Sequence, residues 1–169
     1  DVGQLYFTTG EVPGPVGSGH HHIAPYRAFR ARDGYFVIAA FTQNFWLKFI
    51  DAIGISRLGS DPRFADITKR KHNKAALYEI VDPVLETKSV SEWVDIFQRG
   101  DVPVARVLTV GEALESEQSL ARDVVFDYTH PTLGSMKAVS CPFICDGQPW
   151  RSDLPPPLLG EHTSDILDF

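Results

Sequence analysis

Cysteine is scarce: two residues in a chain of 169, Cys141 and Cys145. Two thiols make no disulfide framework and supply too few ligands for a structural zinc site, so a reducing, cytoplasmic setting fits best. No apolar run approaches the roughly 20 residues that a membrane span needs. Positive charge is in deficit, with 16 Lys and Arg against 22 Asp and Glu and a net charge of −6 with His neutral. That balance argues against nucleic acid as the main partner, because phosphate binding rests on clustered positive charge. The sequence also lacks a P-loop, a nucleophile elbow and a Ser-x-x-Lys motif, and no complete catalytic set can be read from it. The opening DVGQLYFTTG has no Met, no basic segment and no apolar core, so it does not read as a signal peptide. The chain is expected to be a piece of a longer protein.

What is present is ordinary globular composition, 43% hydrophobic, 22% charged and 11% aromatic. A chain of this length can bury roughly 68–70% of its unfolded surface, enough for a core. Residues 1–22 are dense in Gly and Pro, with Gly10, Pro13, Gly14, Pro15, Gly17 and Gly19, and are expected to form an extended loop. Tyr26 to Arg32 alternates apolar and basic residues, and Tyr35 to Phe41 returns as a more apolar strand. Asp33-Gly34 between them predicts a two-residue type I′ turn, which needs positive φ.

Helix signals follow. Phe45, Trp46, Phe49, Ile50 and Ile53 share a helical face, with Thr42 or Asn44 as start and Gly54 as stop. Leu77, Ile80, Val81, Val84 and Leu85 mark a second helix, and Pro83 predicts a kink or break in it. Ser89…Glu92 and Thr109…Glu112 are capping boxes that open two more. Val102 to Leu108, with Pro103 inside, suits a short edge strand. Strands then recur at 124–128 and 136–144, Pro155-Pro156-Pro157 predicts an extended crossing, and Thr163 can cap a last helix. The fold class is α+β: a small antiparallel sheet with about four helices between its strands.

Two segments carry possible chemistry. In Gly17-Ser18-Gly19-His20-His21-His22, glycines permit movement and imidazoles offer hydrogen bonds, which suits a lid over a substrate. The same segment also reads as a mobile surface loop or a tag remnant. As a metal site it is poor, because neighbouring side chains in an extended chain point opposite ways. Lys69-Arg70-Lys71-His72-Asn73-Lys74 reads as a solvated helix start, with a phosphate-facing role as the alternative.

The ending Pro156-Pro157-Leu158-Leu159-Gly160-Glu161-His162-Thr163, with Asp165-Ile166-Leu167 after it, resembles the C-terminal signature of the family III CoA-transferases. That family includes formyl-CoA transferase, carnitine CoA-transferase and the α-methylacyl-CoA racemases. The likeness runs upstream through Ile23-Ala24-Pro25-Tyr26, Asp33-Gly34, Asp61-Pro62-Arg63-Phe64 with Arg70 and Asn73, Glu92-Trp93, Val102 to Ala105, and His130-Pro131 with Gly134. The resemblance implies a two-domain α/β enzyme of which residues 1–22 are linker and glycine/histidine loop. Residues 23–130 would be the small α+β domain, and 131–169 a return segment toward a large domain outside this chain.

The implied activity is CoA transfer from an acyl-CoA to a carboxylic acid, through anhydride and aspartyl-thioester intermediates. The implied nucleophile is an aspartate of the large domain, so no catalytic residue is assigned here. The resemblance further implies an interlocked homodimer, coenzyme A thioester as substrate and no separate cofactor or metal. Substrate-binding residues are expected among Gly17, Ser18, Gly19, His20, His21, His22, Tyr26 and Thr42. The racemases carry a glutamate where Thr42 stands, and threonine cannot exchange protons with a carbon acid near neutral pH, which favours a transferase. The alternatives are an acyl-CoA racemase or lyase of the same family, or a non-catalytic dimerisation module.

Overall fold

Apolar and basic side chains alternate along Tyr26–Arg30 (β1), which pairs antiparallel with Tyr35–Ala39 (β2), from Tyr26 opposite Ala39 to Arg30 opposite Tyr35. In this computed structural model, which describes residues 2–152 and 154–167, a short third strand, Val104–Arg106 (β3), adds to the other edge of β2. Pro103 precedes it at the edge, where a residue without an N–H costs nothing. The Asp33-Gly34 turn departs from the expected type I′: neither residue has positive φ. Instead the Asp33 carboxylate accepts the Val90 N–H at 2.8 Å. A Cβ on Gly34 would stand 3.2 Å from a Val90 methyl, a tight contact that glycine avoids.

Helices precede and follow these strands along the chain, and two of them, Lys74–Leu85 and Val90–Arg99, pack on the strands. Val2–Thr9 (α1) is helical where an extended loop was expected; the Thr8 and Thr9 hydroxyls donate to the Gln4 and Leu5 carbonyls, and Gly10 stops the helix at φ +74. Gln43–Ala52 (α2) starts at Thr42, whose hydroxyl accepts the Phe45 N–H at 3.1 Å, and a 3-10 turn follows at Ser56–Ser60. Ile67–His72 (α3) is capped by Asp66. Lys74–Leu85 (α4) runs unbroken through Pro83, which lies in its last turn and removes little of the ladder there. Val90–Arg99 (α5) has the full Ser89–Glu92 capping box.

The aromatic faces of α2 and α5 close over β1 and β2. Phe97 lies 5.5 Å from Trp93, 5.7 Å from Phe49 and 5.8 Å from Phe36, centroid to centroid. Leu77, Val81 and Leu85 of α4 complete a core confined to residues 24–102.

The chain groups into two units, Asp1–Val107 and Leu108–Phe169, a division upstream of the boundary at 130 read from the sequence. The second holds Val110–Leu114 (α6), Glu117–Ala121 (α7), the hairpin Val125–His130 (β4) and Gly134–Val139 (β5), the pair Ile144–Cys145 (β6) and Gln148–Pro149 (β7), and Thr163–Leu167 (α8). The second capping box, Thr109–Glu112, forms as read. His130 is buried, and its Nδ1 accepts the Thr132 and Leu133 N–H groups at 3.2 Å, closing the β4–β5 turn. Among the described residues this unit has no fully buried apolar side chain, while Phe143 is 72% exposed and Leu120, Leu133 and Leu159 are exposed too. No helix among the described residues is long and apolar enough to cross a membrane.

Candidate functional site

The glycine/histidine segment folds back on the start of β1. Gly17 takes φ +61, and the Gly19 N–H donates to the Val16 carbonyl at 3.0 Å. A Cβ on Gly19 would come within 3.1 Å of that carbonyl, so the second glycine permits the close turn. The Ser18 hydroxyl accepts the Ala28 N–H at 3.2 Å, and the His20 N–H donates to the Tyr26 carbonyl at 3.1 Å. The His20 imidazole stacks on the Tyr26 ring at 5.3 Å and an interplanar angle of 19°. His20 Nδ1 accepts the His22 N–H at 3.1 Å, and the His22 ring lies 6.1 Å from that of His20 and 6.2 Å from that of His21. Three imidazoles therefore gather at one end of the hairpin. They do not converge on a metal: no group of three or more His, Cys, Asp or Glu with metal-holding geometry exists among the described residues.

Thr42 reaches this end by another route. Tyr26 pairs with Ala39, and the Ala40 N–H donates to the Pro25 carbonyl at 3.0 Å, so the chain leaving β2 lies beside the chain entering β1. Thr42 follows, its hydroxyl oxygen occupied as the cap of α2.

The residue that joins these pieces is Arg70, which the sequence placed in a solvated basic run. It is fully buried, at 0% exposure. Its guanidinium donates to the Ala24 carbonyl at 3.1 Å, to Gln43 Oε1 at 2.8 Å and to the Phe64 carbonyl at 3.1 Å, and it lies 5.0 Å from the centre of the Trp46 ring. Arg70 thus clamps the end of the histidine loop, the first turn of α2 and the loop before α3. Periodicity could not have found it, since α3 is short and its neighbours are cations; the spacing of Asp61-Pro62-Arg63-Phe64 to Arg70 was the available signal.

The clamp sets α3 and α4 beside the loop. Burial pushes the His22 pKa down, and the positive charge of Lys71 pushes it further, with smaller contributions from His20, His21 and Lys74. The His22 ring is therefore expected to titrate below its ordinary 6.5. Because its folded pKa lies below its unfolded one, neutral His22 favours the fold above that range, and this contribution is lost as pH falls through the folded value. Lys71→Ala should raise the His22 pKa, read by NMR of the ring protons; an unchanged titration would separate Lys71 from the loop.

The second unit carries an open groove of about 850 Å³ lined by Phe126, Tyr128, Arg151, the triple proline and His162. Arg151 lies over the Phe126 ring there, and it donates to Ser140 and to the Asp123 carbonyl.

Residues 2–163 match CoA-transferase family III, and the chain belongs to that family. It is 29% identical over 152 residues to the human succinyl-CoA:glutarate CoA-transferase, covering 89% of this chain and 34% of that protein. It is 32% identical over 117 residues to the acetyl-CoA:oxalate CoA-transferase of Acetobacter aceti, covering 69% of this chain and 30% of that one. A solved CaiB/BaiF family protein from Brucella suis superposes with a TM-score of 0.74 at 25% identity, over 98% of this chain and 42% of that one. The chain spans about a third of the length of these curated relatives.

Proposed function

We propose that this chain is the C-terminal portion of an acyl-CoA:carboxylate CoA-transferase, and that its histidine loop covers the acyl end of the thioester. The observation that carries this reading is the loop itself. Imidazoles held at the hairpin end by Ser18, Tyr26 and Arg70 can offer N–H donors to a substrate carboxylate and shield a hydrolysable intermediate from water. The nucleophile is an aspartate outside this chain, coenzyme A thioester is the substrate, and a small organic acid is the acceptor. Oxalate and glutarate in the names of the two relatives support an acid of that size. The exposed apolar side chains of the second unit fit burial against the remainder of an interlocked homodimer in the cytoplasm. A capping Thr42 favours transfer over racemisation, since its hydroxyl oxygen serves the helix and holds no exchangeable carboxyl proton.

Two assays test the reading. The 169-residue chain alone should transfer no CoA between any pair of acids, and turnover by it would sink the assignment of the nucleophile. In the longer parent enzyme, alanine at His20, His21 or His22 should slow transfer and raise thioester hydrolysis in at least one variant. If all three keep wild-type transfer with no added hydrolysis, the loop is only a connection.

A further inference from the structure

A buried polar group finds a hydrogen-bond partner in a folded chain, because a bond left unmade costs the full desolvation of that group. Among the described residues three buried side-chain atoms have no partner within the protein: Arg27 Nε, Trp46 Nε1 and Arg70 Nη2. Arg27 keeps part of its side chain at the surface. Trp46 and Arg70 are both fully buried, and they adjoin. The guanidinium carbon lies 5.0 Å from the centre of the Trp46 ring. Phe64, whose carbonyl accepts from Arg70, places its ring 6.4 Å from the same indole, centroid to centroid. The other core indole is different: Trp93 Nε1 donates to the Leu85 carbonyl at 2.7 Å. Burial alone therefore does not orphan an indole N–H in this fold. The orphaned one stands beside a second orphaned donor.

The two atoms cannot satisfy each other, since indole and guanidinium nitrogens only donate. They need an acceptor that the chain does not supply. Around them are the three oxygens that Arg70 already holds, the Ala24 and Phe64 carbonyls and Gln43 Oε1. Each of these oxygens has a second lone pair. The place thus offers two donors together with spare acceptor capacity, the pattern that suits a molecule able both to accept and to donate.

We infer that a buried water molecule joins Trp46 to Arg70, accepting from Trp46 Nε1 and Arg70 Nη2 and donating to one of the oxygens that Arg70 holds. About three partners is the usual complement of an internal water. The water extends the arginine clamp to Trp46 of α2, so that α2, α3 and the chain at Ala24 share one hydrogen-bond network. The site is independent of the transferase reading, since it requires no substrate and no turnover.

The test is the NMR contact between water and side-chain N–H protons in the nitrogen-15-labelled chain. Its three indoles stand in three different situations. Trp46 Hε1 and the Arg70 Nη2 protons should both show water cross-peaks of opposite sign in laboratory-frame and rotating-frame experiments, the mark of a long-lived bound water. Trp93 Hε1, with its protein acceptor, should show none. Trp150 Hε1, on a residue 59% exposed, should show only same-sign peaks from exchange with bulk water. Trp46→Phe and Trp150→Phe assign the indole signals; if Trp46→Phe does not fold, Trp150→Phe and Trp93→Phe do so by elimination. Replacing chloride by bromide or sulfate should leave the Trp46 and Arg70 contacts and the Trp46 Hε1 shift unchanged. A saturable halide-dependent shift would make the acceptor an anion and overturn the water. Absence of the contact at Trp46, or its presence at Trp46 but not at Arg70, overturns the shared site.

Discussion

Phe97→Ala is expected to destabilise the first unit by about 3–5 kcal/mol. The ring is fully buried on α5 and packed among Trp93, Phe49 and Phe36, each within 6 Å centroid to centroid. Truncation removes the transfer free energy of the ring and leaves a cavity. Its walls are large rigid rings on three different elements, so little collapse can refill it. The offset and tilted ring pairs add a further term, about 0.5–1.5 kcal/mol per pair beyond area. Trp46 and Trp93 sit in the same core, so in a Trp150→Phe background, which removes the exposed indole of the second unit, tryptophan fluorescence reports the first unit in a urea titration. With a slope of about 2 kcal/mol/M, the midpoint should drop by roughly 2 M. Phe143→Ala, at a position 72% exposed in the second unit, should change stability by no more than about 0.5 kcal/mol. A loss below about 1 kcal/mol for Phe97→Ala would mean that the aromatic stack does not hold the unit together.

The legible part of this fold is the part set by local chemistry. Ser89 and Thr109 cap the helices that the sequence assigned to them, and Thr42 rather than the alternative Asn44 caps α2, because a short hydroxyl followed three residues later by a backbone N–H, or by a glutamate, is a self-contained device. The β1–β2 hairpin and the edge position of β3 were legible for the same reason, from alternation and from Pro103. What failed was what distant residues decide. Asp33-Gly34 has the composition of a type I′ turn, yet the carboxylate is recruited by Val90, 57 positions away, and the glycine makes room for the same residue. Pro83 reads as a helix breaker but falls in the last turn of α4, where the ladder is already ending. At the candidate site, the histidine loop and Tyr26 were readable as neighbours in sequence. Their tie to α2 and α3 was not, because it runs through one buried arginine inside a run of surface cations.

That arginine should matter more than its surroundings suggest. Arg70→Met is expected to cost about 2–4 kcal/mol, the balance of two opposed effects. Removing the guanidinium strands the buried Ala24 and Phe64 carbonyls, at about 1–3 kcal/mol for each, while the exposed Gln43 can turn its amide to water. Against this, the variant no longer holds a cation away from water, a desolvation that also pushes the Arg70 pKa below its ordinary value. With two buried carbonyls left unpaired against one charge relieved, the lost hydrogen bonds outweigh the relief. Arg70→Lys should recover little, because one ammonium cannot span three acceptors that a planar fork reaches together. The loss should be local in its signature. Amide exchange should speed up at His20 and Ala28, whose N–H groups hold the loop to β1, and the ring-current shift of His20 on Tyr26 should fade. Leu77→Ala, a cavity in the buried face of α4, should cost a comparable 2–5 kcal/mol while leaving both loop signals in place. If Arg70→Lys restores stability and loop protection, the charge alone suffices and the three-way clamp is wrong. If Leu77→Ala loosens the loop equally, Arg70 acts only through the general stability of the unit.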